Sequence, residues 1–420
     1  MNNSLSLNSS GLSRSEMTKK RWWLDASRTF ALERKIMKKV LTVIILTMLI
    51  AVGCSSEKTP EEPYETPQIT KNSEATVNLE LYNLEAANGN KYQTTVTEFD
   101  LGRKEYLSKA GKTMPYNIKG IIGVPEGDGS FPLILITHGS HSNDDESKRF
   151  DTGFDYLVKN LAENGYIAVS MDMSKPYIWK YGDNDDAEKS VAVAREHIEK
   201  LVQANEGNNP GYKEDLKGKI NFDKLALAGH SRGGETIFDI VDDQAERGIF
   251  VKALLSIAPT TLFEREMPDI DVAIIVSEYD GDVQLDGYNM YSMLKAQSKG
   301  LHFVTMLMKG NHNYFNRNIE KNDSWMSRHK NVEDQLTREQ QESFLSNYAL
   351  GFFNSVLLGN QNGFINANSS QPNKMYGFDV ITMYRTDKSL ELADVTTTDD
   401  FQAENAEMEA TIDSSVLQIG

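Results

Sequence analysis

Short apolar runs alternate with segments of helical periodicity from about residue 90 to residue 358. A short continuous apolar run is typical of a strand that is buried on both faces of a parallel sheet. Apolar residues that recur every three to four positions are typical of amphipathic helices. Strands that alternate with helices predict an α/β fold with a mostly parallel central sheet. The predicted strands are residues 92–99, 116–124, 132–137, 166–171, 225–228, 251–257, 272–276 and 303–308, and the predicted helices are residues 154–162, 187–204, 235–241, 288–295 and 338–358.

Polar segments flank this region, so we predict a domain at residues 86–358. Residues 55–85 begin with many Ser, Glu, Pro and Thr residues, which predicts a flexible tether. Residues 359–420 are polar and contain one clear strand pattern, at residues 377–384. They are predicted to be a C-terminal tail or the start of an accessory β module.

A basic start, an apolar run and a single cysteine stand before the tether. Met37 is followed by two lysines, by the apolar residues 40–52 and then by Cys54. This order is typical of a secretory signal, and the run is too short for an ordinary transmembrane helix. The residues around Cys54 resemble the lipobox of bacterial lipoproteins. We therefore expect a signal peptide at residues 37–54, a lipid on Cys54 and a location outside the bacterial cytoplasm, on a membrane. An ordinary signal peptide with an incidental cysteine is the alternative. Residues 1–36 are interpreted as an extension from a start codon placed too early.

The balance of charges narrows the class of partner. The chain has 44 Lys and Arg residues against 61 Asp and Glu residues, a formal net charge of −17. Nucleic acids and anionic surfaces are bound by clustered cations, so neither is expected as a partner. Acidic enzymes are common, and the charge excludes nothing further.

The candidate nucleophile is Ser231, in the sequence Gly229-His230-Ser231-Arg232-Gly233. A predicted strand precedes this G-x-S-x-G pattern and a predicted helix follows it. Glycines two positions either side allow a strained turn that exposes the serine hydroxyl. The backbone N–H of Arg232 would stand at the start of the helix, where it can stabilise a developing negative charge. A glycine-rich turn with an incidental serine is the alternative interpretation.

A serine nucleophile needs a general base and an acid that orients it, in the chain order Ser, Asp or Glu, His. His312 follows the predicted strand at residues 303–308, so it is the candidate base. With an ordinary imidazole pKa of about 6.5, it would support activity through mildly alkaline pH. Asp280 is the preferred acid because Gly281 allows the chain to turn back; Asp282 is the second choice, and Glu278 and Asp286 are more remote alternatives.

The loop after residues 132–137 contains His138, Gly139 and Ser140. We expect the N–H of Ser140 to be the second oxyanion donor and the side chain of His138 to be structural.

Taken together, the residues around Ser231, the pair His138-Gly139 and the sequence Gly310-Asn311-His312-Asn313 resemble the α/β-hydrolase superfamily. Within it, the chain resembles the chlorophyllase and dienelactone-hydrolase-like serine esterases over about residues 90–358. The resemblance implies an α/β-hydrolase fold and ester hydrolysis through an acyl-enzyme, with no metal or organic cofactor. Dienelactone hydrolases proper use a cysteine where this chain has Ser231. The acidic residues 183–186 lack the spacing and the glycine of a calcium loop.

Two loops bear on how a substrate reaches the serine. Residues 259–271 are too few for a lid, so we expect no large cap domain and an open cleft for a small-molecule or polymeric ester. The loop at residues 172–186 carries Tyr177, Trp179 and Tyr181, which are candidates for an aromatic substrate rim. The alternatives to an esterase are a serine peptidase or amidase of the same fold, and a non-catalytic surface-binding lipoprotein.

Overall fold

The computed structural model describes residues 91–359 and 373–385, except residues 142, 146, 183–185 and 264. Within these ranges, ten strands form one sheet and five α-helices pack on it. The strands are β1 Thr94–Leu107, β2 Thr113–Pro125, β3 Phe131–Thr137, β4 Ile167–Met171, β5 Ile220–His230, β6 Val251–Ile257, β7 Asp271–Ser277, β8 His302–Leu307, β9 Lys374–Met375 and β10 Phe378–Arg385. The helices are α1 Asp155–Glu163, α2 Asp186–Asn205, α3 Arg232–Glu246, α4 Asp286–Gln297 and α5 Arg338–Leu358.

The strands lie in the order β1-β2-β4-β3-β5-β6-β7-β8-β10-β9. The central strands β4, β3, β5, β6, β7 and β8 are parallel, and antiparallel strands close both edges. The residues of β3 are all buried because helices cover both faces of the sheet. The prediction of an α/β-hydrolase fold with a mostly parallel sheet is confirmed.

Two apolar cores lie on opposite faces of this sheet. One contains side chains from α2, α3 and α4, such as Val193, Ile237 and Leu294. The other contains side chains from α1 and α5, such as Leu161 and Phe352. The two layers leave the carboxyl ends of the parallel strands at one edge, where ligands bind in sheets of this kind.

The structure extends the domain beyond the predicted boundary at residue 358. The strand predicted at residues 377–384 is β10, which pairs antiparallel with β8 in the central sheet. Without it, β8 would present unpaired backbone groups at an open edge. Residues 378–385 are therefore part of the α/β sheet, rather than of a tail or an accessory module. The predictions for residues 1–85 lie outside the described residues.

Residues 258–270, between β6 and β7, contain no helix at any described position. This agrees with the expectation that a cap domain is not inserted there. In the described ranges, no helix is both long enough and apolar enough to cross a membrane.

Candidate active site

Ser231 is the residue between β5 and α3, and its backbone is strained. It has φ of 56° and ψ of −124°, a positive φ that is uncommon for a residue with a side chain. Its own N–H donates to the carbonyl of Ile257 on the neighbouring strand over 2.9 Å. The backbone turns sharply at this residue, so the side chain of Ser231 stands at the end of β5.

The glycines around Ser231 are required by close backbone contacts. A Cβ atom on Gly229 would lie 2.3 Å from the carbonyl oxygen of Gly233, and one on Gly233 would lie 2.5 Å from the carbonyl oxygen of His138. A Cβ atom on Gly139 would lie 2.6 Å from Cβ of Ser231. The loop after β3 therefore passes directly against the serine.

His312 and Asp280 form a buried pair at the same edge of the sheet. Nδ1 of His312 donates to Oδ2 of Asp280 over 2.9 Å, and both side chains are fully shielded from solvent. Backbone hydrogen bonds join the two loops, from Glu278 to Leu307 over 3.0 Å and from Tyr279 to Gly310 over 2.7 Å. An acid so bound to Nδ1 leaves Nε2 as the atom that can take a proton from a hydroxyl.

Asp280 is built to remain ionised. Its Oδ1 accepts the backbone N–H groups of Asp282, Val283 and Gln284 over 2.8 to 3.0 Å. Burial raises the pKa of Asp280, but the facing His312 and these N–H groups outweigh burial and lower it overall.

The other three candidate acids do not contact Nδ1 of His312. Asp282 has an exposed side chain, and its Oδ2 lies 3.6 Å from Nε2 of His312. Glu278 accepts the N–H of Lys309. Asp286, the first residue of α4, accepts the N–H of Thr261. Of the four candidate acids, Asp280 is therefore the one that the geometry favours as the orienting acid.

The carboxylates around His312 change the pH at which it can act as a base. Burial disfavours the imidazolium, but Asp280, with Asp282 and Asp323, outweighs burial and raises the pKa of His312 to about 9. The sequence alone suggested an ordinary imidazole. In the structure, carboxylates surround the ring of His312, so we expect the imidazolium to lose its proton at a higher pH.

We predict that kcat/KM for ester hydrolysis rises with pH and is half-maximal near pH 9, because only the neutral imidazole accepts the serine proton. Activity should fall below that pH with a single titrating group. A pH–rate profile from pH 6 to pH 10 measures this. A profile that is already flat from pH 7 upwards would contradict it.

Asp323 is a residue that the sequence analysis did not identify. Its Oδ2 accepts the N–H groups of Gly281, over 2.8 Å, and of His312, over 3.2 Å. Its Oδ1 accepts the N–H of Asn313 over 3.0 Å. Gly281 has no room for a side chain, since a Cβ atom there would lie 2.0 Å from the carbonyl oxygen of Asp323. Asp323 thus ties the loop of the acid to the loop of the base.

We predict that Asp323→Asn lowers kcat about tenfold and Asp323→Ala about a hundredfold, with little change in KM, because small displacements of a catalytic group are costly. Asparagine keeps one acceptor oxygen and should partly rescue the position. Both variants should also move the pH midpoint down, since the charge of Asp323 raises the pKa of His312. Asp269→Asn is the control, an exposed carboxylate that also accepts a backbone N–H. Equal losses in the two Asp323 variants, without a change in midpoint, would indicate a merely structural role.

Two further histidines pack against the pair. His230 lies 4.7 Å from the ring of His312 and donates from Nε2 to the His312 carbonyl over 3.0 Å. His141 stacks on His230 at 5.6 Å. Burial, with repulsion from neighbouring histidines, lowers the pKa of both rings well below the ordinary value. Both therefore stay neutral and support the position of His312.

His138 is structural, as expected. Its Nδ1 donates to the carbonyl of Gly139 over 2.8 Å, and its Nε2 accepts the N–H of Met173 over 2.9 Å. These bonds hold the bend that brings Ser140 to the cleft. Ser140, Ser231 and Arg232 line the same cleft, the last at the first position of α3. The first N–H groups of a helix have no partner within the helix, which suits them to bind an oxyanion.

The structure brings none of the three aromatic rim candidates to the wall of this cleft. Tyr177 is buried, and its hydroxyl lies 3.2 Å from Oγ1 of Thr236. Trp179 is 70% exposed, and Tyr181 packs beside Lys180. The ring of Tyr177 packs in the interior near the ring of His138, with 6.3 Å between the two centroids, so it is not available as a rim.

The cleft is instead lined by the acid loop, α4, the loop after β6 and the last strands of the sheet. It encloses about 1300 Å³. Buried Glu235 holds the loop after β6 by accepting the N–H groups of Leu262 and Phe263 over 2.8 and 2.9 Å. The lining residues are Ser140, Ser231, Arg232, Thr260, Leu262, Asp282, Val283, Gln284, Leu285, Asp286, Tyr288, Asn289, Ser292, Met306, Arg328, Ile381 and Met383.

No three His, Cys, Asp or Glu side chains in the described part of the chain are grouped so that they could hold a metal ion. Residues 183–185 of the acidic segment, and Cys54, lie outside the described residues.

Comparison with known proteins gives matches in one family. A family model described as Chlorophyllase matches residues 87–270. Chlorophyllase-1, chloroplastic, from Citrus sinensis is 34% identical over 119 residues, which cover 28% of this chain and 31% of that protein. The protein of the same name from Citrus unshiu matches with the same identity and coverage. The chain thus spans about a third of the length of these relatives. Ser231 lies inside the family match, whereas Asp280 and His312 lie beyond its end.

Proposed function

We propose that this chain, an α/β hydrolase related to the chlorophyllase-like serine esterases, cleaves carboxylic esters through an acyl-enzyme. The observation that carries the proposal is one arrangement at the carboxyl edge of the sheet. A strained, turn-exposed Ser231 lines an open cleft, and a buried His312–Asp280 pair stands on the loops that follow β7 and β8 at the same edge of the sheet. Serine, carboxylate and imidazole, in this chain order, are the parts of a serine hydrolase of this fold.

In the proposed reaction, Oγ of Ser231 attacks the ester carbonyl carbon while Nε2 of His312 takes the hydroxyl proton. The N–H groups of Arg232 and Ser140 stabilise the oxyanion that forms. His312 then gives the proton to the departing alkoxide, so the alcohol leaves and the acyl group stays on Ser231. A water molecule next gives a proton to His312 and attacks the acyl carbonyl. His312 then returns this proton to Oγ of Ser231 as the bond between Oγ and the acyl carbon breaks, and the carboxylic acid leaves.

The experiment that tests this function combines a fluorophosphonate probe with two chromogenic substrates. The probe should label the protein, and p-nitrophenyl butyrate should be cleaved much faster than a peptide p-nitroanilide. Faster cleavage of the anilide would indicate a peptidase or amidase. A folded protein that is neither labelled nor active on either substrate would be a binding protein on a hydrolase scaffold.

We also propose that the enzyme is a lipoprotein on the outer side of a bacterial membrane. The support is the order of the sequence, in which a basic start and an apolar run end at Cys54 and a polar segment follows. Several acyl chains on Cys54 would give a stable anchor, whereas one chain would not.

The lipid anchor predicts that expressing cells incorporate an alkyne fatty acid into the wild-type protein but not into Cys54→Ser. The wild type should also sediment with the membrane fraction, and the variant should not. Labelled Cys54→Ser, or wild type that never takes up label, would contradict the prediction.

A further inference from the structure

A second, smaller cavity shares no lining residue with the catalytic cleft. It is formed by four segments, which are β1, β2, the loop after β3 and the loop after β4. Its volume is about 140 Å³, well below the range of roughly 300 to 1000 Å³ that is usual for sites of drug-sized ligands. The cavity therefore suits a small ion or a single polar group.

Each of the four segments brings one basic side chain to what we call the basic cavity. These side chains are Arg103, Lys119, Lys148 and Lys175. Two acidic residues, Asp145 and Asp172, also line it, so the described lining carries more positive than negative charge. The chain as a whole has a net charge of −17, but exposed charges more than about 8 Å away are largely screened at physiological salt. The lining therefore sets the potential inside the cavity.

The two carboxylates of the basic cavity are already bound within its wall. Asp172 is buried, its Oδ2 lies 3.2 Å from Nζ of Lys119, and its Oδ1 accepts the N–H of Ser174 over 3.1 Å. Oδ1 of Asp145 accepts the N–H and the hydroxyl of Ser147 over 3.1 and 2.6 Å. Neither carboxylate therefore needs a cation from solution.

Two of the basic side chains have charge left for a ligand. Arg103 makes no side-chain hydrogen bond or ion pair with any residue that the structure describes. Nζ of Lys148 lies 4.0 Å from Oδ2 of Asp145, at the outer limit for an ion pair. A guanidinium presents a planar fork of N–H donors, which matches two oxygens of a phosphate or a sulfate. The chemistry of the basic cavity therefore favours an oxyanion.

The wall of the basic cavity also supports the loop that carries Ser140. Asn143 lines the cavity and is buried. Its Nδ2 donates to the carbonyl of Gly139 over 3.4 Å, and its Oδ1 accepts the N–H of His141 over 3.2 Å. One side chain of the cavity thus bonds to both neighbours of Ser140, whose N–H is the proposed oxyanion donor.

We propose that the basic cavity binds a small oxyanion of the phosphate or sulfate type, with Arg103 and Lys148 as its main contacts, and that the bound anion stabilises the loop at Ser140. The excess of positive charge favours a dianion over a monoanion. Free phosphate, a phosphate monoester and a phospholipid head group share this chemistry. Binding is independent of the proposed esterase function, and only the effect on hydrolysis rests on that function.

The first experiment titrates the full-length protein with inorganic phosphate and with sulfate by isothermal calorimetry at constant ionic strength. One anion should bind per chain, with a Kd in the millimolar range or below. Dimethyl phosphate is a singly charged diester, like the phosphate of a phospholipid, and it should bind at least about threefold more weakly. Tighter binding of the diester would overturn the preference for a dianion and indicate a lipid head group.

The test variant is Arg103→Gln with Lys148→Gln, which changes two exposed side chains and should leave the fold intact. It should bind phosphate about tenfold or more weakly, because it loses charge-assisted hydrogen bonds to the anion. The control is Arg247→Gln with Lys252→Gln, an exposed pair of the same residue types outside the basic cavity. It should change the Kd less than about twofold, since its charges are screened from the cavity. Thermal melting of both variants checks the fold.

The second experiment measures hydrolysis of p-nitrophenyl butyrate with and without saturating phosphate. Phosphate should raise kcat about twofold or more, because a steadier loop holds the N–H of Ser140 closer to its working position. The effect should persist in the control variant and disappear in the test variant. Sodium chloride at the same ionic strength should not reproduce it.

Absence of saturable binding, or equal binding by the folded test variant, would overturn the anion site. An equal response to chloride would show an effect of ionic strength only and would also overturn it. Binding that leaves kcat unchanged would overturn the link to the loop. If the wild type cleaves no ester, calorimetry still tests the site, so a failure of the proposed function is distinguished from a failure of this inference.

Discussion

Replacing Ser231 with alanine should lower kcat for ester hydrolysis by about a million-fold, while the protein stays folded. In the proposed mechanism the residue supplies the nucleophile, so its removal leaves only binding and the oxyanion donors. The side chain is small and stands at the cleft, so its loss creates little cavity. His312→Ala should lose a similar factor, and the double variant should lose little more, since the members of such a unit act together.

Ser292→Ala is the matched control, because it removes the same hydroxyl from another residue that lines the cleft, on α4. It should keep the rate within about threefold, since its hydroxyl bonds only to the carbonyl of Tyr288 in its own helix. Rates are measured with p-nitrophenyl butyrate, and labelling by a fluorophosphonate should disappear in Ser231→Ala and persist in Ser292→Ala. If Ser231→Ala kept more than about a hundredth of the rate, the nucleophile would be another residue.

The second large effect separates the two acids of the loop after β7. Asp280→Asn should lower kcat by about 10⁴-fold, the scale for loss of the orienting acid in such triads. The three backbone N–H groups around Oδ1 of Asp280 would hold the amide oxygen there, so the amide NH2 would face Nδ1 of His312. Two N–H donors, the side-chain amide of the Asp280→Asn variant and Nδ1–H of His312, would then face each other. His312 would therefore favour the tautomer with its proton on Nε2, which cannot act as the base.

Asp282→Asn should change kcat less than about tenfold. The exposed carboxylate of Asp282 lies 3.6 Å from Nε2 of His312 and does not contact Nδ1 of that ring. It should, however, lower the pH midpoint of kcat/KM, since Asp282 helps to raise the pKa of His312. Asp286→Asn is the control for a lost charge in the same cleft. The reverse order of damage would transfer the orienting role to Asp282.

Local sequence was sufficient for the strained turn at Ser231 and for most of the strands. The glycines of the G-x-S-x-G turn report a steric requirement that holds over five consecutive residues, and the structure shows those contacts at Gly229 and Gly233. Continuous apolar runs predicted the central strands because both faces of those strands are covered. The chain order of base and acid then selected His312, since the loop after each parallel strand must reach the same edge.

Two features of the site, the role of Asp323 and the raised pKa of His312, depend on contacts between segments that are distant in the sequence. Asp323 looks like any polar loop residue in the sequence, and its role exists only because two loops bring their N–H groups to it. The raised pKa of His312 is a sum over carboxylates from separate loops, which no local pattern reports.

The wall of the cleft also depends on segments that are far apart in the sequence. The sequence of residues 172–186 made its three aromatic side chains candidates for the wall of the cleft. In the structure, however, Tyr177 is buried and contacts Thr236. The strand β10 lines the cleft instead. It pairs with the edge of β8, and the alternation of its residues leaves Ile381 and Met383 exposed at the cleft.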